Sequence, residues 1–235
     1  MKLEGSVVLV TGANRGLGLE FSKQALARGA AKVYAAARNP ALVTLPGVVP
    51  VLLDVTKPEQ VAEAARLCGD INVLINNAGI GRFGGFLTDD ADGLLREQLE
   101  TNLFGMLSTS RAFAGILGNN GGGALVNILS IVSWINTPSL AAYSVSKAAA
   151  WSLTNGLRHE LRAQGTQVLG FHGGFIDTDL VRDFDVPKAS PEDVVRSTLD
   201  ALEAGEEEVA VDELSRQVKQ GLSHGVYLTT DIVAG

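Results

Sequence analysis

Tyr143 and Lys147 stand four residues apart in a stretch with helical spacing, which puts both side chains on one helix face. A phenol titrates near pH 10 in ordinary surroundings and is a poor acid or base at neutrality; a lysine ammonium beside it favours the phenolate. Such a pair can pass a proton to a carbonyl oxygen or take one from an alcohol. Ser130, thirteen residues before the tyrosine and at the end of an apolar run, can hydrogen-bond the same oxygen and stabilise charge developing there.

A second constellation lies near the N-terminus. The apolar run 7–10 leads directly into Thr11-Gly12-Ala13-Asn14-Arg15-Gly16-Leu17-Gly18, and helical spacing follows over 17–28. Glycines at these positions let the backbone turn tightly and approach phosphates, which then meet the N–H groups and positive dipole end of the helix. The next strand-like run ends Ala35-Ala36-Ala37-Arg38. No carboxylate stands there to hold a ribose 2′-hydroxyl, whereas Arg38, with Arg15 in the loop, offers planar forks of donors to a 2′-phosphate. The spacing predicts NADP(H) as cofactor in preference to NAD(H).

Stepping outward, β-branched runs at 7–10, 32–37, 48–53, 71–75, 124–129 and 168–171 alternate with helical stretches at 17–28, 58–67, 91–117 and 140–163. Strands buried on both faces and separated by helices predict an α/β fold, a doubly wound parallel sheet of about seven strands with helices on each side. The connection 38–47 carries two prolines and reads as a turn or a stub of helix. From Ser190, an N-cap candidate, the chain adds a helix starting at Pro191, a weak strand at 208–211 and a last helix at 212–222. No linker or repeat divides residues 1–235, so a single Rossmann-like domain is expected.

The glycine spacing here, Gly-x-x-x-Gly-x-Gly, resembles that of the short-chain dehydrogenase/reductase family, and the resemblance runs along nearly the whole chain. Asp54-Val55 is similar to the family's adenine-contacting segment, and Asn76-Asn77-Ala78-Gly79 to its signature after the fourth strand. Asn102 falls at the family's helix asparagine, Ser130, Tyr143 and Lys147 at its catalytic serine and Tyr-x-x-x-Lys pair, and Gly174, Ile176 and Thr178 in its nicotinamide segment. The resemblance implies a Rossmann-like fold and, in the NADP-preferring, carbonyl-reductase-like branch, a hydride transfer between NADP(H) and a ketone or aldehyde. It gives Lys147 the nicotinamide ribose as well as the tyrosine, and Asn102 a water that links Lys147 to solvent. One departure stands out: Gly173-Gly174 replaces the family's usual Pro-Gly, which predicts a looser segment under the nicotinamide.

By the same resemblance, substrate lies between residues 81–86, those just after Ser130, and 175–186. Phe83, Phe86, Ser133, Trp134, Phe175, Leu180 and Phe184 are the expected lining, which suits an apolar or aromatic carbonyl. A 3-oxoacyl carrier-protein reductase shares every motif, although a net charge of −7 is poorly matched to an acidic carrier protein. A non-catalytic NADP(H)-sensing or scaffold protein is the alternative of a different class; the presence of both Tyr143 and Lys147 argues against it.

Composition narrows the rest. The acidic balance and absence of a basic patch argue against nucleic acid. One cysteine, Cys68, and three scattered histidines argue against a disulfide or a metal site; Cys68 is expected to be a buried small apolar residue. His159 is expected on a helix surface, His172 in a structural role, and the acidic run 203–208 in solvent. The N-terminus lacks a signal peptide's long apolar stretch and run 124–135 is too short and interrupted to span a bilayer, so a cytoplasmic protein away from membranes is expected. Helices 91–117 and 140–163 carry more apolar residues than one face needs, and relatives in the resembled family pair such helices, which implies a homodimer or homotetramer.

Overall fold

Aliphatic and β-branched runs form the strands of one sheet, whose five inner strands are buried nearly throughout and whose two edge strands are not. A computed structural model describes residues 1–181, 185–230 and 232. Its sheet has seven parallel strands in the order β3-β2-β1-β4-β5-β6-β7. They are β1 (Val7–Thr11), β2 (Lys32–Ala37), β3 (Val49–Leu52), β4 (Val73–Asn76), β5 (Ala124–Ile128), β6 (Gln167–His172) and β7 (Glu208–Ala210). The chain builds outward from β1 to β3, then returns to place β4 on the other side of β1. Thr11 and Asn76 therefore end the two strands that flank the switch in direction, where open α/β sheets bind ligands.

Side chains alternate between two helical layers. Val8 and Val10 pack with Phe21 and Ala25 of α1 (Gly16–Ala27) and with Val195, Leu199 and Leu202 of α6 (Pro191–Ala204). Leu9, Leu74 and Leu125 face the other way, against Val61 and Ala64 of α2 (Pro58–Leu67), Phe113 and Leu117 of α4 (Met106–Asn119), and Leu157 and Leu161 of α5 (Ala141–Leu161). The tail ends in α7 (Glu213–Gly221). Cys68 is fully buried, as expected, and burial pushes its thiol up to about 12. No helix among the described residues is long and apolar enough to cross a membrane.

The connection after β2 is, as expected, a short turn: a single 3-10 turn, Pro40–Leu42, capped by Asn39. Two sequence expectations change. The helix expected over 91–117 is interrupted: α3 (Ala91–Leu99) passes through a π-turn, Glu100–Gly105, before α4 resumes. Gly105 sits against Val55, where an added Cβ would lie 2.6 Å from Val55 Cγ2, and the extra residue of the wide turn re-aims Asn102. Finally, Ser190 occupies the N-cap of α6 but its side chain makes no capping bond.

A buried polar row fixes how α4 and α5 sit on the sheet. Asn76 Nδ2 donates to Ser110 Oγ and Asn127 Oδ1, both at 3.0 Å, while Thr109 Oγ1 donates to Asn76 Oδ1 at 2.7 Å. Asn127 Nδ2 continues the row to Thr154 Oγ1 on α5 at 3.0 Å. A saturated network of this kind sets one roll angle for the helix, and so the direction in which its tyrosine and lysine face.

Candidate active site

At the end of β1 the chain turns through the glycine loop into the N-terminus of α1. Gly12 and Gly16 have φ of +66° and +52°, a region that glycine reaches without steric cost. A Cβ on Gly18 would collide with the Gly12 carbonyl oxygen, so the helix packs onto the loop only with glycine there. Residues after β4 brace the end of β1 and the loop: the Asn77 and Ala78 N–H groups donate to Thr11 Oγ1 at 3.0 and 2.9 Å, and Asn77 Nδ2 donates to the Thr11 and Gly12 carbonyls at 2.9 and 3.2 Å. The bracing residue is thus Asn77. Asn76, expected to touch cofactor, instead spends its side chain in the buried row, a reversal that follows from strand alternation.

Arg38 is exposed at the end of β2. Burial acts to raise the Asp54 carboxyl, but hydrogen bonds from Thr56 and the charges of Arg38 and Lys57 outweigh it and hold the group below its usual value. Arg38 and Lys57 are thus the cations near Asp54, which is committed to its Thr56 turn, at 2.8 Å from the hydroxyl and 3.0 Å from the N–H. Arg15 Nη1 is paired with Asp179 Oδ2 at 2.9 Å. Open glycine backbone at a helix N-terminus, with cations at the far end, fits a phosphorylated dinucleotide.

Tyr143 and Lys147 of α5, Ser130 after β5 and Asn102 of the π-turn come together at one end of the sheet. Burial pushes the Tyr143 hydroxyl up to about 12, opposed by its hydrogen bond with Ser130. Lys147 lies behind it, its Nζ 5.6 Å from the tyrosine ring centroid and 2.7 Å from the Ile128 carbonyl, to which it donates. Burial pulls this amine down to about 8. In the chain by itself burial therefore dominates the phenol, contrary to the simple pairing argument. Asn102 is 1% exposed, its Nδ2 donating to the Ile80 carbonyl and Ser146 Oγ at 2.8 and 2.9 Å and its Oδ1 accepting from Ile80 N–H at 2.8 Å. Gly79 lies between Asn102 and Lys147: a Cβ there would be 3.1 Å from Asn102 Oδ1 and 3.7 Å from Lys147 Nζ.

Ser130 caps a 3-10 turn, Ile131–Ser133, in a reciprocal arrangement with Ser133, whose hydroxyl accepts the Ser130 N–H at 3.2 Å. That turn rotates Ser133 and Trp134 inward, so neither lines the cleft beside Tyr143; Trp134 stacks on His172 with ring centroids 3.8 Å apart. His172 is fully buried and its Nδ1 sits 3.0 Å from the Ser130 carbonyl. A carbonyl only accepts, which assigns the proton in this bond to Nδ1. Its Nε2 lies 3.3 Å from Glu208 Oε1; the His172 ring and Lys219 pull that carboxyl down to about 2 against its burial. The acidic run is thus not simply solvated, since Glu203 also accepts the Leu3 N–H and pairs with Arg28, at 3.0 Å each.

A cleft opens in front of Ser130 and Tyr143. Phe83 and Phe175 line it as expected, Ile131, Val132 and Val181 come from the stretches expected to border substrate, and Leu140 and Ile232 join them from outside those stretches. The hydroxyls of Ser130 and Tyr143 are the polar side-chain groups on this wall among the described residues. Phe86 is exposed and outside the lining. Leu180 belongs to the 3-10 turn Asp179–Val181, and Phe184 lies outside the described residues. Ile176 is buried, and Thr178 Cγ2 approaches within 3.7 Å of where a Gly16 Cβ would stand, closing the cofactor groove over the glycine loop.

Comparison with known proteins places this architecture. The family model for short chain dehydrogenases matches residues 6–188, and the chain belongs to the short-chain dehydrogenase/reductase family of oxidoreductases. A crystal structure of a short chain dehydrogenase from Burkholderia cenocepacia J2315 in complex with NADP superposes with a TM-score of 0.93 at 41% identity, covering 98% of this chain and 100% of that one. The short chain dehydrogenase pigC of Monascus ruber is 35% identical over 198 residues, 76% of this chain but only 65% of its own length. The 3-oxoacyl-[acyl-carrier-protein] reductase FabG of Salmonella typhimurium is 30% identical over 191 residues, 77% of this chain and 78% of that protein.

Proposed function

We propose that this protein interconverts a ketone or aldehyde and the corresponding alcohol with NADP(H), using Tyr143 as the acid and base. The reading is carried by one observation: the polar side-chain groups on an otherwise apolar cleft are the adjoining hydroxyls of Ser130 and Tyr143. Groups with this placement act on a substrate oxygen while the apolar wall holds its carbon substituents. The cofactor would lie on the glycine loop of residues 12–18, with Asp54, Val55, Ala78 and Gly79 along the adenosine half and Gly174, Ile176 and Thr178 along the nicotinamide half. Arg38 takes the 2′-phosphate, with Arg15 beside the groove. When bound, the nicotinamide supplies or accepts the hydride.

The chain's own residues handle the proton. Ser130 Oγ holds the carbonyl oxygen, and Tyr143 gives that oxygen its phenolic proton in reduction or removes the alcohol's proton in oxidation. Lys147, buried and with its pKa brought to about 8, stabilises the phenolate when it forms and holds the nicotinamide ribose. Asn102, turned towards Gly79 and Lys147 by the π-turn, anchors the water path to solvent. An apolar or aromatic carbonyl fits the cleft, and the protein works in the cytoplasm as a homodimer or homotetramer.

A second reading, reduction of a 3-oxoacyl thioester, is favoured by the 30% identity to FabG. One assay separates the two: NADPH consumption with aromatic, aliphatic, quinone and acyl-thioester carbonyls, with NADH and Tyr143→Phe in parallel. Tyrosine-dependent turnover of free ketones or aldehydes supports the first reading, and turnover confined to thioesters the second. Nucleotide binding without any turnover would favour a sensing role.

A further inference from the structure

The segment that follows β6 begins with two glycines, the least constrained pair a chain can place there. A proline at the first position, usual in the family, would require neighbouring side-chain ends to give way. A Cβ on Gly173 would lie 2.9 Å from Phe171 Cζ and 3.0 Å from Ile176 Cδ1. Hydrogen bonds from outside the segment hold it instead. The Gly173 carbonyl is held on the β5 side, accepting the Ile131 N–H at 2.9 Å and facing Ser130 Oγ at 3.4 Å.

The other hold comes from the far end of the chain. Gly174 N–H donates to Asp212 Oδ2 at 2.7 Å. Asp212 is also the N-cap of α7, its Oδ1 accepting the Ser215 N–H at 2.8 Å and its Oδ2 the Ser215 hydroxyl at 3.1 Å. One carboxylate thus joins the start of a helix to the backbone of a loop 38 residues away. Asp212 lies beyond residues 6–188, the part that the family model matches.

We propose that Asp212 is a positioning residue for the nicotinamide half of the cofactor site, locking Gly174 through its backbone N–H where other members of the family rely on a proline ring. The inference rests on the NADP(H) reading above. A charge-assisted hydrogen bond is stronger than a neutral one, and this one restrains the segment that continues into Phe175 and Ile176.

The test separates this role from helix capping. Asp212→Ser and Asp212→Asn both retain a residue type that caps α7, but serine does not reach Gly174 and asparagine cannot accept from both N–H groups at once. Three quantities are measured on the full chain: amide hydrogen exchange at Gly174 without nucleotide, the Kd of NADPH, and the Kd of 2′,5′-ADP, which lacks nicotinamide. The expected result is faster exchange at Gly174 and NADPH binding weakened about tenfold, with 2′,5′-ADP binding and Tm close to wild type. Unchanged exchange and unchanged NADPH affinity would overturn the proposal. So would equal weakening of both ligands together with a lowered Tm, which marks a cap and nothing more. If the wild-type chain binds neither nucleotide, the cofactor reading fails, and Gly174 exchange alone still decides whether Asp212 holds the loop.

Discussion

Arg15 of the glycine loop and Asp179 of the turn after β6 form an ion pair, Nη1 to Oδ2 at 2.9 Å, that ties together the two walls of the cofactor groove. The side chains are 68% and 47% exposed, so solvent screens the pair and it contributes about 0–1 kcal/mol. Asp179→Asn is therefore expected to raise the Kd of NADPH by no more than about fivefold, chiefly through faster release. The effect should vanish in high salt. Stopped-flow binding at two salt concentrations checks this, and a loss of a hundredfold would mean that Asp179 does more than close the groove.

The same pair bears on cofactor choice. With Arg15 engaged across the groove, Arg38 is the guanidinium at the end of β2 that faces the Asp54 end of the site. A charged hydrogen bond contributes about 1.5–3 kcal/mol, so Arg38→Asp should lower the preference for NADPH over NADH by at least about tenfold. Arg15→Ala should lower it less. The ratio of kcat/KM values for the two nucleotides is the measurement, and an unchanged ratio in Arg38→Asp would place the 2′-phosphate elsewhere.

How much of this was legible in the sequence follows from how local each signal is. The glycine loop and the Tyr143–Lys147 pair depend on spacing within one turn or one helix, and the sheet on runs of β-branched residues; these were readable. Asn102 was placed by resemblance, but its direction depends on the π-turn Glu100–Gly105, and nothing in the 91–117 pattern announces an extra residue per turn. Ser133 and Trp134 were misplaced because the 3-10 turn after Ser130 rotates them into the protein. Asn76 turns into the buried row and Asn77 towards the glycine loop because side chains alternate at a strand end. Glu208, Asp212 and Ile232 reach the site only through tertiary packing of the tail.

Tyr143 titrates at about 12 in the chain alone, so its neutral form, the one needed to give a proton, prevails throughout the neutral range. Carbonyl reduction should accordingly be nearly flat between about pH 6 and 8, while alcohol oxidation, which needs the phenolate, should quicken as pH rises. Tyr143→Phe should bind NADPH almost as well as wild type yet lose about 10²–10⁴ in turnover. Full turnover in that variant would exclude the tyrosine as the acid.

Lys147 sets function against stability. Its amine, 4% exposed, falls from 10.5 to about 8 because burial penalises the charge. Below about pH 8 both folded and unfolded chains hold this proton, and the folded state bears the full cost of the buried cation. Between about 8 and 10.5 the unfolded chain binds more protons than the folded one, so stability rises with pH through that window. At about 1.4 kcal/mol for each tenfold, the cost near neutrality is roughly 3 kcal/mol, and loss of the bond to the Ile128 carbonyl gives back about 1–2 kcal/mol in any apolar variant. Lys147→Met should therefore be about 1–2 kcal/mol more stable than wild type at pH 7. That advantage should shrink and then reverse as pH passes from 8 to 10.5, while turnover is lost at every pH. Urea unfolding of both proteins at pH 7 and pH 10 decides the matter: a stability difference independent of pH would show that the amine is not buried as a cation at neutrality.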